Sequence, residues 1–416
     1  MLQQVEGSRA VAQTVAACRP EVVCAYPISP QTHIIEALGA SVKSGSLSPC
    51  EFINVESEFA AMSVLIGASA AGARAYTATA SQGLLFMIEA VYNAAGLGLP
   101  VVMTLANRAI GAPINIWNDH SDAMSVRDSG WIQLFAENNQ EAADLHVQAF
   151  RLSEQLSLPV MVCMDGYILT HAVEGIDVPA QADVDAFLPA YQPRQALDPD
   201  APISIGAMVG PEAFEEVRYL AHLRQLDALQ LIPAVSVEFE AQFGRQSGGL
   251  VRAYRTEDAE TVVVALGSVL GSIKDAVDTR REAGERIGVL GITSFRPFPF
   301  EAVREALATA QRIIVLERAF SIGFGGVLST DVSMATHDDG SRLHTVVAGL
   351  GGRPVTSRSL DAMLARAARD DLDPLLFLDL DREAVERERA RLVGTRRPGQ
   401  PADGVVGCLG TATGGG

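Results

Sequence analysis

Between about residues 8 and 174, short apolar runs alternate with long stretches rich in alanine and glycine. EVVCAY, AYTAT, PVVMTLA and PVMVCMD are short, mainly apolar runs, the pattern of buried strands. Between them lie ESEFAAMSVLIGASAAGA and GLLFMIEAVYNAAGLG, which have helical character and small side chains. A chain of this kind is constrained to a parallel sheet covered by helices, because parallel neighbours need a crossover and the crossover helices cover the faces. The small residues predict helices packed closely on one another or on a second subunit.

Residues 175 to about 255 break the rhythm with the proline-rich PAYQPRQALDPDAPIS and a helical segment, PEAFEEVRYLAHLRQLDALQ, acidic at its start. The alternation then resumes in TVVVALGS, RIGVLGI and RIIVLER, so a second, smaller α/β domain is expected, followed by a helical VTSRSLDAMLARAARD. The expected division is 1–245 for the first domain with its connector, 246–375 for the second, and 376–416 for a tail whose glycine- and proline-rich end is expected to be poorly ordered in isolation.

Composition narrows the function. A net charge of −18 with only two lysines, Lys43 and Lys274, leaves no basic stripe for nucleic acid. No run of 18 apolar residues predicts a membrane span, and no secretory signal is apparent at the start, so the cytoplasm is the expected location. The five cysteines, Cys18, Cys24, Cys50, Cys163 and Cys408, lack the spacing that holds an iron–sulfur cluster. Electrons moving through such clusters would need another chain to carry them.

Four clusters fall near strand ends: Ser29; Glu56 and Glu58; Ser81-Gln82-Gly83; and residues 107–122. In YPISPQT, Pro27 stops sheet pairing, Pro30 suits the first turn of a helix and Ser29 suits the cap before it. Ser29 is therefore either a helix cap or a hydroxyl presented at the carboxyl end of a strand, where α/β folds place their sites. Glu58 opens an apolar helix, a favourable place for a carboxylate whether or not it meets a ligand. Arg108 follows a strand and could grip a carboxylate with both arms, or pair with a neighbouring acid. Asp119, His120 and Asp122 are spaced poorly for one ion on one element, so loop hydrogen bonding is expected of them. GFGG at 323–326 reads as a tight turn, since it lacks the strand, helix and acidic partner of a nucleotide loop.

In order along the chain, YPISPQT, ESEFAA, TASQGLLFMIEAVYNAAG, NRAIGAPINIWNDHSDAM, MDGYILTH, SFRPFP and ERAFSIGFGG resemble the alpha subunit of the 2-oxoacid:ferredoxin oxidoreductases, pyruvate:ferredoxin oxidoreductase above all. The resemblance runs from about residue 5 to 375. It implies a thiamine-diphosphate pyrimidine-binding domain followed by a transketolase C-terminal-like domain. It also implies that Glu58 bonds the cofactor's aminopyrimidine nitrogen, promoting proton removal from the thiazolium carbon. Ser29 and Arg108 then face the substrate carboxylate, and Pro27 and Ile28 join Glu58 against the cofactor. Many members carry threonine where Ser29 stands, so the hydroxyl is kept and a methyl is lost. The implied reaction is oxidative decarboxylation of a 2-oxoacid, pyruvate first, to acyl-coenzyme A and carbon dioxide.

The family pattern holds the diphosphate and Mg²⁺ with a GDG segment and a later asparagine. Here MDG at 164–166 has no such partner, because no asparagine follows Asn139. The resemblance therefore implies a beta subunit carrying the diphosphate half-site, Mg²⁺ and a [4Fe-4S] cluster, with gamma and delta (ferredoxin-like) subunits completing the complex. Other readings stay open at this point. They are a branched-chain or aryl 2-oxoacid such as phenylglyoxylate, a non-redox transketolase-like carboligase, and a scaffold without activity.

Overall fold

The apolar runs all form strands, and the chain folds around two sheets. The structure, a computed structural model, describes residues 2–336 and 341–392. Among the described residues the strands form a seven-stranded sheet, a six-stranded sheet and a two-stranded ribbon that pairs Gln3–Glu6 with Val173–Ile176.

The seven-stranded sheet runs, edge to edge, Ser294–Arg296, Ile132–Phe135, Val160–Asp165, Val101–Asn107, Ala75–Thr79, Val22–Ala25 and Glu51–Asn54. All its neighbours are parallel except the first pair. The central ladder pairs Ala75 with Val101 and ends at Thr79 with Leu105. The six-stranded sheet is built on Thr261–Ala265, Ile287–Ile292, Arg312–Glu317 and Arg342–Val347, all parallel, with Val251–Tyr254 antiparallel at one edge and Leu375–Phe377 at the other. Residues 294–296, which belong by position to the second half of the chain, thus extend the first sheet. Phe295 is fully buried there, edge-on to Phe135 at 6.0 Å.

One apolar core spans both sheets, joining Met62, Leu65 and Met103 on the first to Val262, Leu290 and Val315 on the second. Small residues make this possible: Ala61, Ala90, Ala94 and Ala123 are buried in it and let the helices approach closely. Cys24 and Cys163 are buried in the same core as small hydrophobes. The stretch expected as one helix at 83–98 is two, Ser81–Phe86 and Ile88–Gly96, broken at Met87. The helix expected near residue 214 is longer than its acidic start suggested, Phe214–Phe243, with Pro233 inside it.

GFGG is a tight turn: Ser321 bridges Gly325, and the buried Glu317 carboxylate accepts from Val327 N at 2.7 Å and Leu328 N at 2.8 Å. A Cβ on Gly326 would sit on Glu317 Oε1, so this glycine leaves room for a carboxylate of the chain itself. The helix Arg382–Leu392 follows the second sheet, and the tail beyond it, with Cys408, lies outside the described residues.

Candidate active site

The carboxyl ends of the strands Val22–Ala25, Ala75–Thr79 and Val101–Asn107 lie side by side in the sheet, and each delivers one of the expected residues. Glu58 is the first residue of the helix Glu58–Ala70, whose N-cap Ser57 accepts from Ala60 N at 3.2 Å. The extended backbone at Ser57 and the helix beginning at the next residue turn Glu58 inward, while Glu56 stays exposed. Glu58 is 7% exposed, and among the described residues its carboxylate has no hydrogen-bond or ion-pair partner. Burying a carboxylate without a partner is costly, which singles this residue out.

Two neighbours shape the space around it. A Cβ on Gly83 would lie 2.7 Å from Glu58 Oε1 and 2.6 Å from Thr79 Oγ1, closer than any side chain tolerates. Ala75, Thr77 and Thr79 share one face of their strand by the two-residue alternation, the face that carries the helix Glu58–Ala70. Thr79 is fully buried and its hydroxyl has no partner among the described residues. The Thr79 hydroxyl and the Glu58 carboxylate therefore both pack directly on Gly83, where only a glycine leaves them room.

Arg108 is 6% exposed and has no acidic partner among the described residues, so the ion-pair reading fails. Its Nε donates to Asn115 O at 2.8 Å and its Nη1 to Ser29 O at 3.0 Å. Two carbonyls fix the guanidinium plane while leaving its charge uncompensated, which suits it to a carboxylate from outside the chain. Asn115 is itself held from the second half of the chain, donating Nδ2 to Gly351 O at 3.1 Å.

The turn at Pro27-Ile28-Ser29-Pro30 departs from the expected cap. The helix starts at Thr32 with Gln31 before it, so Ser29 does not cap and Pro30 is not in the first helical turn. Pro30 is instead seated against the other strand end: a Cβ on Gly166 would lie 2.6 Å from Pro30 Cγ. Gln31 Nε2 then donates to Tyr26 O at 2.9 Å and closes the turn. Ser29 and Pro27 are exposed and Ile28 half-buried, with the Ser29 carbonyl on Arg108.

Asp119, His120 and Asp122 do form loop hydrogen bonds, and more. Asp119 accepts from Ser121 N at 2.9 Å and from Gly351 N at 3.0 Å. Asp122, fully buried, accepts from Ser81 N and Arg108 N on Oδ2, and from Asn107 Nδ2 and Ala123 N on Oδ1, at 2.8–3.0 Å. Burial pushes its carboxyl up to about 6, against the pull of the bonds from Asn107, Ser81 and Arg108.

Asp165 of MDG takes His120 Nε2 at 2.7 Å, Ser268 N at 2.9 Å, the Ser268 hydroxyl, and Arg318 Nη1 at 3.0 Å. Burial alone would raise its carboxyl, but Arg318 and His120 hold it well below the usual range. Its oxygens are committed to binding the two halves of the chain together. Sequence reasoning marked Gly83 only as part of the Ser81-Gln82-Gly83 cluster, with no role of its own, and did not single out Thr79 or Arg318. A glycine two residues into a helix that follows a strand was the available signal for Gly83, while Thr79 and Arg318 carried none.

Residues 13–232 match the family model described as pyruvate flavodoxin/ferredoxin oxidoreductase, thiamine diphosphate-binding, and 259–360 match pyruvate:ferredoxin oxidoreductase core domain II. Pyruvate synthase subunit PorA of Methanosarcina barkeri is 48% identical over 361 residues, covering 86% of this chain and 90% of that protein. Ketoisovalerate oxidoreductase subunit VorA of Pyrococcus horikoshii is 40% identical over 362 residues, 86% of this chain and 92% of that one.

Among solved structures, 2-oxoglutarate:ferredoxin oxidoreductase from Magnetococcus marinus, with 2-oxoglutarate, coenzyme A and succinyl-CoA bound, superposes with a TM-score of 0.65 at 18% identity. The match covers 89% of this chain and 65% of that one. A split-gene transketolase, an inactive beta4 tetramer, gives 0.52 at 13% identity, covering 88% of this chain and 99% of that one. These two carry the fold alone. With two consecutive family models and relatives matched over most of their length, the chain belongs to the pyruvate flavodoxin/ferredoxin oxidoreductase family.

Proposed function

We propose that this chain is the alpha subunit of a coenzyme-A-acylating 2-oxoacid:acceptor oxidoreductase, with pyruvate as its substrate. The observation that carries the reading is a pair of buried charged residues beyond the carboxyl ends of strands of one sheet, Glu58 without a partner and Arg108 held only by two carbonyls, in a chain whose family model is thiamine-diphosphate-binding. The family relatives support it, since several are subunits of pyruvate synthase.

The residues fit the cofactor's aminopyrimidine. A flat ring with donors and acceptors on its edge meets the needs of Glu58, whose carboxylate has no partner, and of the buried Thr79 hydroxyl. When bound, thiamine diphosphate supplies a carbon nucleophile and an electron sink for the decarboxylation. Glu58 would bind the ring nitrogen through a hydrogen bond, which its buried position strengthens. Pro27 and Ile28 pack on the ring. Arg108 orients the 2-oxoacid by its carboxylate, and the Ser29 hydroxyl, next to the carbonyl that Arg108 already holds, completes that contact.

The partners follow from the same reading. Asp165 is bound to Arg318 and His120, which supports placing the diphosphate half-site and Mg²⁺ on a beta subunit. That subunit also carries a [4Fe-4S] cluster, and gamma and delta subunits handle electron exit and coenzyme A. Large exposed apolar side chains support such docking, among them Ile114 at 82%, Ile322 at 89% and Phe324 at 76%. The division 1–245, 246–375 and 376–416 is part of the proposal, as is a cytoplasmic location; no helix among the described residues is long and apolar enough to cross a membrane.

The test is viologen-dye reduction by the complex purified anaerobically with its co-expressed partners, given coenzyme A and pyruvate. Glu58→Gln should lower turnover by about 10²–10⁴-fold while the complex stays assembled. Wild-type turnover that Glu58→Gln leaves unchanged would sink the catalytic reading. A second reading, 2-oxoisovalerate as the preferred acid, is favoured by the VorA relative and is decided by the same assay run with both acids.

A further inference from the structure

The central ladder of the first sheet ends at the pair Thr79 and Leu105. Ser81 and Arg108 lie past that end, where sheet hydrogen bonds no longer set the spacing between the two chain segments. A side chain bridges them instead: Asp122 Oδ2 accepts from Ser81 N at 3.0 Å and from Arg108 N at 2.9 Å, beside one direct bond from the Ser81 hydroxyl to Ala109 O. The other oxygen, Oδ1, accepts from Asn107 Nδ2 and Ala123 N. Only the Ala123 bond serves the short helix on which Asp122 itself sits. The remaining three go to the two strand ends that form the site.

The Ser81 side of this link is a strained turn. Ser81 has φ +48°, a left-handed conformation that a side chain adopts only when its surroundings impose it. Its N–H is fixed by Asp122, and its hydroxyl donates to Ala109 O at 2.6 Å. Two residues further on is Gly83, facing the Glu58 carboxylate. On the other side, the residue whose N–H Asp122 holds is Arg108 itself.

We propose that Asp122 is a positioning residue, fixing Arg108 relative to the Ser81–Gly83 turn that packs on Glu58, by holding both strand ends on one carboxylate oxygen. The inference rests on the proposed function, in which Glu58 serves the cofactor and Arg108 the substrate carboxylate. A carboxylate suits this task because all four contacts are N–H donors. An amide of the same shape has one acceptor oxygen and would turn its own N–H₂ towards two of them.

The experiment compares wild type, Asp122→Asn, Arg108→Lys and the double variant in the co-expressed complex. It measures thiamine diphosphate content, thermal unfolding, and KM and kcat for pyruvate. Asp122→Asn should assemble and keep its cofactor, with KM raised about tenfold and kcat lowered as the reacting groups lose alignment. The double variant should be no worse than the weaker single one, because both changes act on one contact.

A purely structural role predicts fewer active sites, hence a lower kcat with KM within twofold of wild type, and that result overturns the proposal. Additive losses in the double variant overturn it too. Should Asp122→Asn fail to assemble, Asp122→Glu keeps the charge and the acceptors but moves the shared oxygen. Its KM must also rise, and a KM within twofold of wild type overturns the inference. A wild-type complex that turns over no 2-oxoacid overturns the functional reading first, and this inference with it.

Discussion

Gly83 stands opposite Glu58 so closely that a single added carbon would lie 2.7 Å from its Oε1. The carboxylate opens a helix packed over the central strands, and the glycine opens the helix that follows the strand Ala75–Thr79. Their close contact fixes where the carboxylate can lie, and it ties a backbone requirement to a chemical one.

Gly83→Ala therefore separates stability from binding. Alanine favours a helix over glycine by about 1 kcal/mol, but its Cβ meets both Glu58 Oε1 and Thr79 Oγ1. The expected outcome is a melting temperature close to wild type, the helix gain offsetting the crowding, with thiamine diphosphate affinity in the assembled complex weakened at least about tenfold, since the added Cβ must push the Glu58 carboxylate out of place. Calorimetric titration of the cofactor-depleted complex checks it.

Arg108→Lys should raise KM far more than it lowers stability. The guanidinium reaches Asn115 O and Ser29 O together and still has donors to offer, whereas an ammonium is a single point on a flexible stem. Losing one charge-assisted bond costs about 2 kcal/mol, so KM for the 2-oxoacid should rise roughly thirtyfold. Steady-state kinetics on the complex decide this, and an unchanged KM would remove Arg108 from the substrate site.

Arg318 and Asp165 make the buried ion pair that joins the two halves of the chain, with side chains 4% and 1% exposed. Arg318→Met leaves the Asp165 carboxylate buried without its cation, at a cost of about 3–5 kcal/mol. Thermal unfolding of the complex should show a large fall in melting temperature. The double change with Asp165→Asn should recover part of it, because the uncompensated charge is then gone.

His146 gives a pH dependence with a definite sign. It is fully buried between Thr104 Oγ1 at 2.6 Å and Ala142 O at 2.6 Å, and burial lowers its ring to about 4. Unfolded, the imidazole takes a proton below about 6.5; folded, it stays neutral until about 4. The unfolded state thus binds more protons in that window, so stability falls as pH drops from 6.5 to 4, by roughly 3 kcal/mol. Above 6.5 this contribution is constant. His146→Asn should flatten the slope of melting temperature against pH in that window, although it is less stable at neutral pH.

Much of this was legible in the residues alone. Four short, mainly apolar runs could only be buried strands, and small residues between them could only be closely packed helices, so the parallel sheet followed from periodicity and crossover geometry. Glu58 at a helix start and Arg108 just past a strand were marked for the same reason: both lie where local structure must end. Ser29 shows the limit. Its local sequence fits a helix cap, but Pro30 is seated on Gly166, 136 positions away in the chain, and that contact moves the helix start to Thr32. What the tertiary structure alone decided is which polar groups are left without partners. Asp122 and Asp165 look as available as Glu58 in the sequence. Packing with other segments supplies Asp122 with three N–H donors and Asp165 with Arg318, and it gives the Glu58 carboxylate none. Hydrogen-bond satisfaction is a property of the whole fold, because the donors arrive from segments that only the fold brings together.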